Sequence, residues 1–85
     1  MVEINFILLT DKFKTDVKKI RDKTVKKKLQ KPIEKAAGDP NFGKPLRYGL
    51  RGEWSIYLKP FRLIYKVEGD KLILLRFENR KEVYD

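Results

Sequence analysis

The chain has 85 residues, 41% of them apolar, so it is long enough for one small domain with a single core and too short for a second. It carries 21 Lys and Arg against 12 Asp and Glu, a formal charge of +9, and a field of that sign draws polyanions such as nucleic acid, or an acidic protein. With no Cys and no His, thiol nucleophiles, imidazole bases, zinc fingers and disulfide scaffolds are excluded together; no cofactor is expected, and no apolar run reaches the length of a bilayer. A cytoplasmic protein without membrane attachment is the expectation.

Val2 to Leu9 alternates Val2, Ile4, Phe6 and Leu8 with Glu3, Asn5, Ile7 and Leu9, becoming apolar on both faces. That pattern predicts a strand well inside a sheet. Thr10 and Asp11 supply capping chemistry for a helix to about Lys23, with Phe13, Val17 and Ile20 as its apolar stripe. Thr24 is placed to cap a second helix whose inner face holds Val25, Leu29, Ile33 and Ala36 or Ala37, with Gly38 just past its end. Pro32 removes a backbone donor there and should kink or divide that helix, unless Lys31 ends one segment and Pro32 begins another. The outer face of this helical pair is dominated by cations, among them Lys19, Lys23, Lys26 and Lys27. Without aromatics on that face it reads as a phosphate-gripping surface, not a base reader.

Gly38 to Pro45 is rich in turn formers and forms the main loop. Leu46 to Leu50 reads as a short strand, Arg51-Gly52 as a turn and Glu53 to Lys59 as the next strand. Trp54, Ile56 and Leu58 alternate with Ser55, Tyr57 and Lys59; after the Lys59-Pro60 break, Leu63, Tyr65 and Val67 alternate with Arg62, Ile64 and Lys66. Gly69-Asp70 stands at the centre of a tight hairpin leading to a strand from Lys71 to Glu78. The expected architecture is α+β: two N-terminal helices covering one face of a mainly antiparallel sheet of 4–5 strands, in the order β-α-α-β-β-β, as one domain over residues 1–85. The opposite face is left to Tyr57, Arg62, Lys66 and the C-terminal cluster Arg80, Lys81 and Tyr84.

Three passages carry a resemblance: Gly43-Lys44-Pro45-Leu46-Arg47-Tyr48-Gly49-Leu50-Arg51-Gly52-Glu53-Trp54-Ser55, the strand Phe61-Arg62-Leu63-Ile64-Tyr65-Lys66-Val67, and the terminal Glu82-Val83-Tyr84. With the β-α-α opening, the chain resembles the RelE/ParE superfamily of toxins. RelE- and YoeB-type members enter the ribosomal A site and cut mRNA; with no His or Cys and with carboxylates scattered singly in this chain, the expectation is a metal-independent endoribonuclease that works by 2′-hydroxyl attack. A RelB-type antitoxin silences them in heterodimers or heterotetramers. By that resemblance Arg62 matches the family's strand arginine, and Arg80 with Tyr84 its C-terminal pair; beside them, Lys81 and Lys59 are further catalytic candidates of this sequence, and Lys44, Arg47 and Tyr57 are candidate RNA contacts. Ser55 and Tyr57 stand where RelE carries two lysines, and a glutamate that YoeB-like members insert is missing between Pro45 and Leu46. The general base therefore stays open among Tyr84, Lys44, Lys59 and Lys81. Two other readings of the resemblance are a ParE-like, non-catalytic inhibitor of DNA gyrase and a catalytically weak RNA-binding relative.

Overall fold

In the computed structural model, which describes residues 3–46 and 52–79, the chain runs β1 (Phe6–Leu9), α1 (Asp11–Lys18), α2 (Lys23–Lys28), α3 (Gln30–Gly38), β2 (Lys44–Pro45), β3 (Glu53–Leu58), β4 (Phe61–Glu68) and β5 (Lys71–Asn79). The five strands order as β1-β5-β4-β3-β2, antiparallel except for β1, which runs parallel to β5. The helical segments cover one face, giving the expected two-layer α+β sandwich. Its core joins Phe13, Ile20, Leu29 and Ala36 from the helical side to Leu63, Tyr65, Leu72, Leu74 and Phe77 from the sheet, with Trp54, Ile56, Leu58, Phe61 and Val67 packed around them.

Three elements differ from the sequence reading. The first helix stops at Lys18, where the Ile20 N–H bonds to the Val17 carbonyl in a tightened last turn, and Ile20 reaches the core from beyond the helix. The second arm starts one residue before Thr24, because the Asp22 carboxylate accepts from the Thr24 N–H at 2.9 Å and so caps α2 itself. That arm then divides at Leu29, not at Lys31. Pro32 is the third residue of α3, within the first turn, where a missing N–H costs nothing. The strand expected inside the sheet is its edge: Phe6, Ile7, Leu8 and Leu9 are 56%, 46%, 43% and 45% exposed. Apolar residues on both faces report side-chain character and not what covers it, so periodicity alone cannot separate a central strand from an uncovered edge.

The short strand expected over residues 46–50 falls almost wholly outside the described residues; pairing before it involves Lys44 and Pro45, opposite Ser55 and Trp54, and the Leu46 N–H, which donates to the Glu53 carbonyl at 2.9 Å. The Lys59-Pro60 break is a two-residue turn with a cis peptide bond, and Leu58 pairs with Phe61 across it. Gly69 takes φ +60° in the β4–β5 hairpin, a region that glycine enters without steric cost.

Candidate functional site

Strand β5 decides what stands on the open face. Across β4, Ile64 faces Arg76 but Tyr65 faces Leu74, so Leu75 is an extra residue, a β-bulge. The bulge shifts the phase of the strand. Leu72 and Leu74 point into the core and so does Phe77, three residues further on, which turns Arg76 and Glu78 to the open side.

Helix α1 holds this irregularity in place. The Thr10 hydroxyl caps α1 by accepting from the Phe13 N–H at 3.0 Å, and donates its proton to the Leu75 carbonyl at 2.7 Å. The Asp16 carboxylate, 8% exposed, accepts from the Phe77 N–H at 3.0 Å and pairs with Lys12. Backbone groups near a bulge lose regular ladder partners, and buried ones must be paired elsewhere. Asp16 and Thr10 supply those partners.

On the open face the bulge builds a ladder of ions. Arg62 on β4 donates through Nη2 to Glu78 Oε1 at 2.9 Å; Arg76 stands 3.6 Å from the other oxygen of Glu78 through Nε, and donates through Nη2 to Glu53 Oε1 at 2.9 Å. The order is Arg62, Glu78, Arg76, Glu53, spanning β4, β5 and β3. Since Arg76 starts on β5 and ends on β3, it passes over Ile64 on the strand between, and Ile64 is fully buried although it faces away from the helices. Arg62 and Glu78 keep 19% and 23% side-chain exposure, enough for a ligand to reach the pair.

Tyr57, 54% exposed, is the register partner of Arg62 on β3, and exposed Lys59 lies in the turn joining the two strands. These three share one end of the open face. Lys44, exposed on β2 opposite Ser55, lies further along, while Lys66 pairs with Glu68 at 3.0 Å toward the hairpin. Lys19, Lys23, Lys26 and Lys27 are exposed on the helical layer, on the other side of the sheet. Arg47, Arg80, Lys81 and Tyr84 lie outside the described residues. A cleft of about 690 Å³ opens where the helices meet the end of the sheet nearest Arg62, with the stacked rings of Phe61 and Phe77 (centroids 4.9 Å apart) among its walls and Lys19 and Arg21 among its cations. Glu78 lines this cleft too.

Sequence reading passed over Glu53, Arg76, Glu78 and Asp16. The spacing Leu72, Leu74, Phe77 is the signal that could have found the middle pair, because a step of three within a period-2 strand marks a bulge. Among the described residues, no group of three or more His, Cys, Asp or Glu stands together as a metal site, and no helix is long and apolar enough to cross a membrane.

A family model for the ParE toxin of type II toxin-antitoxin systems (parDE) matches residues 7–84. No curated sequence matches the chain. Among solved structures, the toxin-antitoxin complex RelBE2 from Mycobacterium tuberculosis is similar at 24% identity over 94% of both chains, with a TM-score of 0.75. The RelB-RelE antitoxin-toxin complex from Methanococcus jannaschii is also 24% identical, over 92% of this chain and 95% of that one, with a TM-score of 0.75. The YoeB/ParE toxin from Agrobacterium tumefaciens is 22% identical over 87% of this chain and 96% of its own, at 0.77. At such identities these likenesses concern the fold.

Proposed function

We propose that this chain, which belongs to the family of ParE toxins of type II toxin-antitoxin systems, acts as a RelE-type toxin: a ribosome-dependent endoribonuclease that cuts mRNA in the A site and is silenced by a RelB-like antitoxin. The observation that carries this reading is Arg62 on an open sheet face, between Tyr57 and Glu78, with exposed Lys59 in the turn that joins β3 to β4. Guanidinium offers phosphate a fork of donors, and a phosphorane gathers charge that such donors stabilise. Tyr57 offers a ring on which a base can stack. Arg80, Lys81 and Tyr84 would add charge and proton transfer, Lys44 and Arg47 would contact the RNA strand, and Lys19, Lys23, Lys26 and Lys27 would grip ribosomal RNA. Such work places the protein in the cytoplasm.

The ribosome's part follows from the chemistry. A bare strand lacks the in-line geometry that a 2′-hydroxyl needs, and positioning is worth roughly 7–11 kcal/mol. Naked mRNA should stay intact at toxin concentrations that cut programmed ribosomes. Folded Arg62→Ala protein should lose about 100- to 1000-fold in cleavage, as when one preorganised electrostatic donor is removed. Full activity in that variant, or equal cutting of free and ribosome-bound mRNA, overturns the reading. Cleavage should also survive EDTA once ribosomes tolerant of it are used.

The match to the ParE toxin family keeps a second reading beside this one, a ParE-like inhibitor of DNA gyrase. Inhibition of gyrase supercoiling by a protein that leaves mRNA uncut would establish it.

A further inference from the structure

We infer that Glu78 is the general base of the cleavage step, an assignment that rests on the mRNA-cleaving reading above. Arg62 and Glu78 form a pair in which the cation can seat the scissile phosphate while the carboxylate stands within reach of the neighbouring 2′-hydroxyl. Their contact is 2.9 Å, Nη2 to Oε1. A carboxylate oxygen has more than one lone-pair site, so pairing with the arginine leaves it able to accept a proton.

Position singles out Glu78. Glu53, the other carboxylate of the ladder, sits four positions along β3 from Tyr57, the partner of Arg62, which is about 13 Å at the rise of a strand. It is held at the far end by Arg76. Tyrosine and lysine side chains start about three pH units above neutrality, so as bases they are mostly protonated at pH 7, whereas carboxylates are ionised. The open face thus supplies a base without histidine.

The charged groups around Glu78 are Arg62 from β4 and Arg76 from its own strand, with Lys12, Lys19 and Arg21 and the acids Asp16 and Asp22 lining the cleft that it shares with the helices. In the step, Glu78 takes the proton of the 2′-hydroxyl as that oxygen bonds to phosphorus. The bond from phosphorus to the 5′-oxygen breaks, and the leaving oxygen takes a proton from water. Glu78 then returns its proton to the hydroxide so formed. The products are a 2′,3′-cyclic phosphate and a 5′-hydroxyl, with no water consumed. Arg62 stays charged throughout and Arg76 holds the carboxylate in place.

The test uses the full-length toxin on programmed ribosomes, with single-turnover cleavage measured against pH for wild type, Glu78→Gln and Glu78→Asp, and melting curves for all three. Wild type should show an acid limb with the slope of one titrating group. Glu78→Gln keeps size and an acceptor for Arg62; it should lose about 100- to 10,000-fold in rate, as for a general base, and its acid limb should vanish while ribosome affinity holds. Glu78→Asp should keep the acid limb at a lower rate, and formate should partly restore a folded Glu78→Ala protein. A role in merely holding Arg62 would lower the rate without removing the limb, which overturns the assignment. So does a Glu78→Gln protein as fast as wild type, or faster. Wild-type toxin that leaves programmed ribosomes uncut would instead sink the cleavage reading, and Glu78 with it.

Discussion

Tyr65 shows how one buried hydroxyl can fix a loop beside a site. Its hydroxyl accepts from the Gly43 N–H at 3.0 Å and donates to the Pro40 carbonyl at 2.8 Å, so both ends of the loop before β2 hang on it. Gly43 must come this close: a Cβ there would stand 2.7 Å from the Ser55 carbonyl oxygen and 2.8 Å from the hydroxyl itself. Tyr65→Phe leaves two backbone groups without their partner and should cost about 1–3 kcal/mol in urea denaturation. Gly43→Ala should cost at least as much, since backbone must move to admit the methyl. Burial pushes the Tyr65 phenol above its ordinary value, against the lowering effect of the Gly43 hydrogen bond and helped by the charge of Asp39. A phenol that ionises later in the folded state than in the unfolded one gives stability that is whole below its unfolded value near pH 10 and drains away as pH rises through the folded one. Wild type should therefore lose stability faster than Tyr65→Phe above about pH 10, and parallel curves for the two proteins would contradict the assignment.

Among elements, α1 and β5 form the unit on which the site depends. Thr10 and Asp16 satisfy the Leu75 carbonyl and the Phe77 N–H, and the bulge between them turns Arg76 and Glu78 outward. Asp16→Ala strips a partner from a buried N–H, and a loss of about 1–3 kcal/mol is expected. Amide exchange at Phe77 should accelerate with it, and the open-face ladder should loosen. An Asp16→Ala protein with unchanged stability and a protected Phe77 amide would refute the coupling. The helix stripes and the alternation of β3 and β4 were legible because the residues that meet the core there, Trp54, Ile56 and Leu58, then Leu63, Tyr65 and Val67, recur with a fixed period. The bulge was not, because its only mark is one step of three between Leu74 and Phe77. Asp16 looked like one more charge on a charged helix, and nothing local distinguishes a carboxylate that meets a strand 61 residues away. The edge position of β1 was equally hidden, since a parallel pairing with β5 is decided only when the last strand arrives.

At the scale of the molecule two surfaces of opposite character stand apart. The helical layer is cationic, within a chain of net charge +9, while the edge strand exposes Phe6, Ile7, Leu8 and Leu9 with few charges of its own. Cations that neutralise phosphates release counterions, so such binding weakens steeply with salt; apolar burial does not. An acidic antitoxin can draw on both, with charge bringing it in and the apolar edge holding it. Reversing Lys19, Lys23 and Lys26 to Glu should weaken ribosome binding and flatten its dependence on log salt by roughly 0.7–0.9 for each phosphate no longer neutralised. Ile7→Thr and Leu9→Thr preserve strand propensity and net charge but remove apolar surface. Since Ile7 and Leu9 are 46% and 45% exposed before binding, less than half of each remains to be covered, and the loss in antitoxin binding should be about 0.5–1.5 kcal/mol per position, to the same extent at low and high salt, with ribosome binding left as it was. Titration calorimetry at two salt concentrations measures it. Unchanged antitoxin affinity in the double variant would mean that the exposed edge serves some other surface.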